Sequence, residues 1–97
     1  MPIKRSHLLR HQKLVDEWGN TVEIKLWQVP PAIDKPHGFK YSLVYIVNGE
    51  RVIGYDNGER RGDHRHYEAR EEPYTFISPR QLVEDFRRDV DAYRRTL

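Results

Sequence analysis

The stretch Tyr41-Ser42-Leu43-Val44-Tyr45-Ile46-Val47-Asn48-Gly49-Glu50-Arg51-Val52-Ile53-Gly54-Tyr55-Asp56 decides the fold. Leu43, Tyr45 and Val47 alternate with Val44 and Ile46, so both faces of the first half are apolar, which predicts a central strand. Asn48-Gly49 favours a type I′ turn, because both of its central positions must take positive φ. Arg51 to Asp56 then returns antiparallel, and Asp56-Asn57-Gly58 supplies a second turn.

Upstream of this hairpin, Thr21 to Val29 alternates cleanly. Val22, Ile24 and Leu26 fall on one face and Glu23, Lys25 and Trp27 on the other, as in a half-buried antiparallel strand. Trp27 on the polar face covers a sheet edge or packs on a neighbouring copy, which would make a homodimer. Leu8 to Val15 is a further candidate strand with an alternation muddled by Arg10 and Gln12, and Glu17 to Asn20 reads as the turn between the two. Pro30-Pro31 ends the second strand, because proline has no N–H for the ladder. The loop from there to Gly38 carries no readable motif.

Downstream, His64 to Tyr67 begins a short strand that Glu71, Glu72 and Pro73 interrupt, and Tyr74 to Ile77 is the last extended piece. Ser78-Pro79-Arg80-Gln81 is a compound helix start: serine as N-cap, proline at the first helical position, and Gln81 reaching back as capping-box partner. The helix is expected over residues 78–95. Leu82, Val83, Phe86, Val90, Tyr93 and Leu97 form its apolar stripe. Its other face pairs Arg80 with Glu84, Glu84 with Arg88 and Asp91 with Arg95. The expectation is a single α+β domain over residues 1–97, an antiparallel meander of about four to six strands with the C-terminal helix packed across one face.

The chain has 97 residues, 37% hydrophobic and 33% charged, with a formal charge of +2. That length suits one modest core, and the periodic aromatic and β-branched residues argue against disorder. The absence of cysteine excludes disulfides, thiolate zinc sites and a cysteine nucleophile. No apolar run approaches a membrane span or a signal-peptide core, so a cytoplasmic location and no membrane partner are expected. The mild basic excess allows a polyanionic partner without requiring one. It is concentrated at residues 1–13, a basic arm in which Lys4, Arg5, Arg10 and Lys13 are accompanied by His7 and His11 and by no acid.

Chemistry is densest from Tyr55 to Tyr67, where two glycines bracket arginines and aspartates and the run opens into a His-x-His pair. On an extended segment positions i and i+2 share a face, so His64 and His66 stand side by side about 6–7 Å apart, and Arg65 points the other way. Histidine is the side chain that titrates near neutrality, so the pair can supply one proton acceptor and one donor.

The order of motifs carries a family likeness. Asn48-Gly49-Glu50-Arg51, Tyr55-Asp56-Asn57, Gly62-Asp63-His64-Arg65-His66, Pro73-Tyr74-Thr75-Phe76 and the Leu82 to Phe86 helix segment resemble the TumE family of toxins from toxin–antitoxin pairs. These motifs cover roughly the C-terminal 60% of the chain, and the N-terminal strands resemble the family in pattern alone. The resemblance implies a toxin with a cognate antitoxin and an RNA target.

Three readings of the His-x-His segment compete. In the first, the chain is a metal-independent endoribonuclease without cofactor. His64 and His66 then exchange protons with the ribose 2′-OH and the leaving 5′-oxygen, Arg61 and Arg65 stabilise charge on the phosphate, and Asp63 or Asp56 orients an imidazole. In the second, the histidines and Asp56 or Asp63 ligate zinc, manganese or iron. In the third, the segment is a structural strand end whose histidines satisfy backbone carbonyls and whose arginines pair with Glu59, Glu68, Glu71 and Glu72. RNA contacts would come from Lys4, Arg5, Arg10, Lys13, Arg60 and from Tyr67, with Tyr74 as a second aromatic able to stack a base. A non-catalytic module that binds nucleic acid or protein through the arm is the main rival function.

Overall fold

The computed structural model describes residues 5–58 and 60–97, so Lys4 and Glu59 lie outside the described residues. Six strands form one sheet in sequence order, β1 (His7–Val15), β2 (Thr21–Gln28), β3 (Phe39–Val47), β4 (Glu50–Asp56), β5 (His64–Tyr67) and β6 (Arg70–Pro73), followed by helix α1 (Pro79–Arg94). Every neighbouring pair is antiparallel, which is the expected meander. At the central turn Asn48 and Gly49 take φ of 52° and 77°, the positive values a type I′ turn requires.

The helix covers one face of the sheet. Ile24 and Leu26 of β2, Tyr41, Leu43 and Tyr45 of β3, and Ile53 and Tyr55 of β4 point to that side and meet Leu82, Phe86 and Val90 of α1. The Ser78 hydroxyl accepts a hydrogen bond from the Gln81 N–H at 3.0 Å, so the N-cap forms as expected. The reciprocal half of the capping box does not form, because the Gln81 amide donates to Asp85 instead, at 2.8 Å.

Several expectations need correction. Glu71, Glu72 and Pro73 do not interrupt the sheet; they belong to β6, an exposed edge strand. Charged residues and a terminal proline suit an edge, where they discourage pairing with another chain. Tyr74 to Ile77 is not a strand and instead leads into the helix. Much of the basic arm is not an arm, since residues from His7 onward pair with β2. Leu97 lies past the helix and is 53% exposed, so it is not on the core stripe. On the outer face Arg80 pairs with Glu84 as expected, but Arg88 turns to Asp85 and Arg94 to Asp91 at i,i+3 spacing. Trp27 lies one strand in from the edge, and the Lys40 ammonium sits over its ring at 5.5 Å.

Candidate active site on the open face of the sheet

The face turned away from α1 is built by the residues that alternate with the core. Cross-strand register aligns Lys25 with Ser42, Ser42 with Asp56, and Asp56 with His64, so these four form one row across four strands. The adjoining row runs from Glu23 through Val44 and Gly54 to His66 and Glu71. Neighbouring strands are about 4.8 Å apart, so each row brings together side chains far separated in sequence. A groove of about 480 Å³ lies along them, edged by Lys25, Trp27, Lys40, Arg51 and Arg61.

Asp56, His64 and His66 converge in this groove. His64 Nε2 is 2.7 Å from Asp56 Oδ1, and His64 Nδ1 is 3.0 Å from the Gly62 carbonyl oxygen. Both ring nitrogens therefore face oxygen atoms, which fix the orientation of the ring. His66 Nε2 lies 3.5 Å from Asp56 Oδ2 without the geometry of a hydrogen bond, and it is buried with no hydrogen-bond partner among the described residues. The two rings meet edge to face with centroids 4.9 Å apart, closer than strand geometry alone predicts, because both lean towards the same carboxylate. Burial, then the Arg51 guanidinium, pushes the His66 imidazole below its ordinary value, and the Asp56 and Glu71 carboxylates only partly oppose this.

Gly54 makes room for Arg51. A Cβ at Gly54 would stand 2.8 Å from Arg51 Cδ, so the bare backbone lets the arginine stem cross the strand beside His66. Arg51 Nη1 reaches to 3.8 Å from Asp56 Oδ2, and Arg61 pairs with Glu71 at the rim.

The other sequence candidates are placed elsewhere. Arg65 and Tyr67 lie on the helix side of β5 by strand alternation. Arg65 Nε donates to Asp89 at 2.6 Å and its guanidinium also pairs with Glu72, so it is not aimed at a phosphate in the groove. Tyr67 packs against the core between the Arg65 and Arg70 guanidinium groups, at 5.2 and 5.9 Å. Asp63 does not orient His64 or His66. Its carboxylate accepts from Tyr41 Oη at 2.6 Å and Asn57 Nδ2 at 3.2 Å and lies 3.0 Å from His37 Nε2. Asn57, fully buried, also accepts from the Tyr41 N–H and donates to the Phe39 carbonyl. This network ties the loop before β3 to the segment whose Gly62 carbonyl holds His64. Tyr74 stacks edge-on against Tyr55 and donates to Asp85, so it serves the core.

The basic-arm candidates also divide. Arg10 pairs with Leu26 in register and so faces the helix side, whereas Lys13 pairs with Glu23 and faces the groove side. Arg5 and Arg60 are exposed and lie outside the strands, and Lys4 lies outside the described residues. Lys25, Lys40 and Arg51 are groove cations that the sequence alone did not single out.

One face sealed by a helix and the other carrying paired imidazoles, a carboxylate and a rim of cations define a small α+β protein with a histidine–carboxylate cluster on an open sheet. Residues 4–94 match the family described as Toxin TumE, and the chain belongs to that family. The match takes in the N-terminal strands as well as the motif-bearing C-terminal part. Membership makes the chain a toxin of the toxin–antitoxin kind, with an antitoxin as its counterpart. No curated protein and no solved structure matches the chain. Among the described residues no helix is long and apolar enough to cross a membrane.

Proposed function

We propose that this toxin is an endoribonuclease that works without a metal, in the compartment where RNA is made and used. His66 is the general base. Its Nε2 has no hydrogen-bond partner among the described residues, so with the ring proton on Nδ1 it can take the proton from a ribose 2′-OH. The 2′-oxygen then attacks the adjacent phosphorus, the bond from phosphorus to the 5′-oxygen breaks, and the products are a 2′,3′-cyclic phosphate and a free 5′-hydroxyl. His64 is the general acid that protonates the leaving 5′-oxygen, with Asp56 and the Gly62 carbonyl holding its ring.

Charge gathering on the phosphate oxygens is met by Arg51, with Lys40 and Arg61 farther out along the groove. The observation that carries this reading is the unlike environment of two adjacent histidines around one carboxylate, since dissimilar surroundings separate an acid from a base. The test is incubation of the purified chain with RNA in the presence of EDTA. Products ending in 2′,3′-cyclic phosphate are expected, and a 2′-deoxy nucleotide at the scissile position should block the cut. RNA left intact at catalytic and stoichiometric protein would sink the proposal and favour a binding toxin.

A further inference from the structure

We infer that Asp56, His64 and His66 are also a binding site for a divalent transition-metal cation of the zinc class, and that its occupancy switches off RNA cleavage. The binding half stands on geometry alone; the switching half rests on the proton-transfer roles proposed above.

One ligand atom from each of the three residues lies within 4.8 Å of the others. A tetrahedral zinc with bonds of about 2.0–2.1 Å needs its ligands about 3.3 Å apart. The observed separations of 2.7 Å and 3.5 Å from the Asp56 carboxylate bracket that value, so small side-chain shifts suffice. The rigid ladder supports them, because Asp56 and His64 are direct cross-strand partners and His66 follows on the same face.

Two independent features point to a ligand. The first is the His66 side chain, 10% exposed, whose Nε2 is buried without a hydrogen-bond partner among the described residues and lies 3.5 Å from the carboxylate. A buried polar atom left unpaired is uncommon in folded proteins. The second is the Gly62 carbonyl at His64 Nδ1. An oxygen acceptor there fixes a proton on Nδ1 and leaves the Nε2 lone pair directed at Asp56. This is the outer-shell contact that ligating histidines usually make.

Two imidazoles and one carboxylate suit zinc, cobalt or nickel and disfavour magnesium and calcium, which take oxygen ligands. Three protein ligands leave a coordination position open to the groove. Arg51 competes for Asp56, but its side chain is 43% exposed and can withdraw. An Nε2 bound to the cation can neither accept the 2′-OH proton nor deliver one to the 5′-oxygen, so the same lone pairs serve either chemistry, never both.

The experiment titrates Zn²⁺ into the full chain by calorimetry and Co²⁺ by visible absorption, with Mg²⁺ alongside, and repeats both with Asp56→Asn and His66→Gln. Expected are one zinc per chain, cobalt bands of a four- or five-coordinate site, no competition from magnesium, and at least tenfold weaker binding in each variant whose circular dichroism is unchanged. Cleavage by chelator-treated protein should fall to background at stoichiometric zinc. No saturable binding, or binding undiminished in both variants, overturns the site. Cleavage that requires zinc overturns both the switch and the metal-free mechanism but leaves the site standing. If no RNA is cut under any condition, the proposed function and the switch fail together, and the titrations alone decide the site.

Discussion

Arg65 and Asp89 meet between the sheet and the helix, with Arg65 Nε 2.6 Å from Asp89 Oδ2 and the Tyr55 hydroxyl 2.5 Å from the same oxygen. Arg65 leaves β5 on the side opposite His64 and His66, so the strand that carries the site is fastened from beneath by this pair. Asp89 is 4% exposed, and removing it leaves the part-buried Arg65 guanidinium with Glu72 as its remaining carboxylate and the Tyr55 hydroxyl without the oxygen it donates to. Asp89→Ala is therefore expected to destabilise the fold by about 1–3 kcal/mol, the loss of its charge-assisted hydrogen bonds. Urea denaturation measures this, and a loss below about 1 kcal/mol would show that water replaces the carboxylate.

The same pair sets an acid limit. Burial alone would raise the Asp89 carboxyl, but hydrogen bonds from Arg65 and Tyr55 outweigh it and hold the group below its ordinary value. Asp16 behaves alike: burial is outweighed by hydrogen bonds from Tyr45, the Asn20 and Trp18 N–H groups and Arg94. A depressed folded value means that the native state resists protonation more than the unfolded chain does. The contribution is present above the unfolded value of about 3.9 and is lost as pH falls through the folded one. Thermal midpoints should thus drop below about pH 4, and Asp89→Asn should flatten that drop.

The difference between legible and illegible parts follows from distance along the chain. The Asn48-Gly49 turn, the alternation of Val22, Ile24 and Leu26, and the Ser78-Pro79 start are local signals, and each forms as read. His-x-His adjacency is local too. The Asp56–His64 pairing is not, because it depends on the register of β4 against β5. Asp63 illustrates the same limit: its partners His37 and Tyr41 come from beyond the turn, and a loop with no motif gave no hint of them. Arg65 and Tyr67 were legible in principle, since the alternation that joins His64 to His66 also turns them to the other face. Edge strand β6 was hidden because its acids carry no apolar period.

Helix orientation can be checked by two neighbours. Phe86 is 1% exposed against the sheet, and Phe86→Ala should cost about 3–5 kcal/mol. Arg87 is exposed, and Arg87→Ala should stay within about 0.5 kcal/mol. Denaturant midpoints of the two variants would reverse in order if the helix presented its charged side to the sheet.

RNA binding discriminates between the faces of the sheet. Lys40→Ala and Arg51→Ala, on the groove side, should each weaken binding and reduce the slope of log affinity against log salt by about 0.7–1 for every phosphate left without its cation. Arg10→Ala, on the helix side, should leave both unchanged. Fluorescence anisotropy at several salt concentrations makes the comparison. A flattened slope for Arg10→Ala alone would move the nucleic acid to the first strand and the other face.

The last prediction separates catalysis from structure at the two histidines. His64→Ala and His66→Ala should each slow RNA cleavage by about 10²- to 10⁴-fold, the usual contribution of a positioned acid or base. The variants should differ in stability. His66→Ala removes a ring whose Nε2 has no hydrogen-bond partner among the described residues, so its urea midpoint should stay near that of the parent. His64→Ala removes the ring that Asp56 and the Gly62 carbonyl hold, and a fall of about 1–3 kcal/mol is expected from the unpaired acceptors. Full activity in a folded His66→Ala protein would remove the general base from the mechanism. Global unfolding of both variants would make the cluster a structural clamp, since catalytic groups held in an open groove need not support the core.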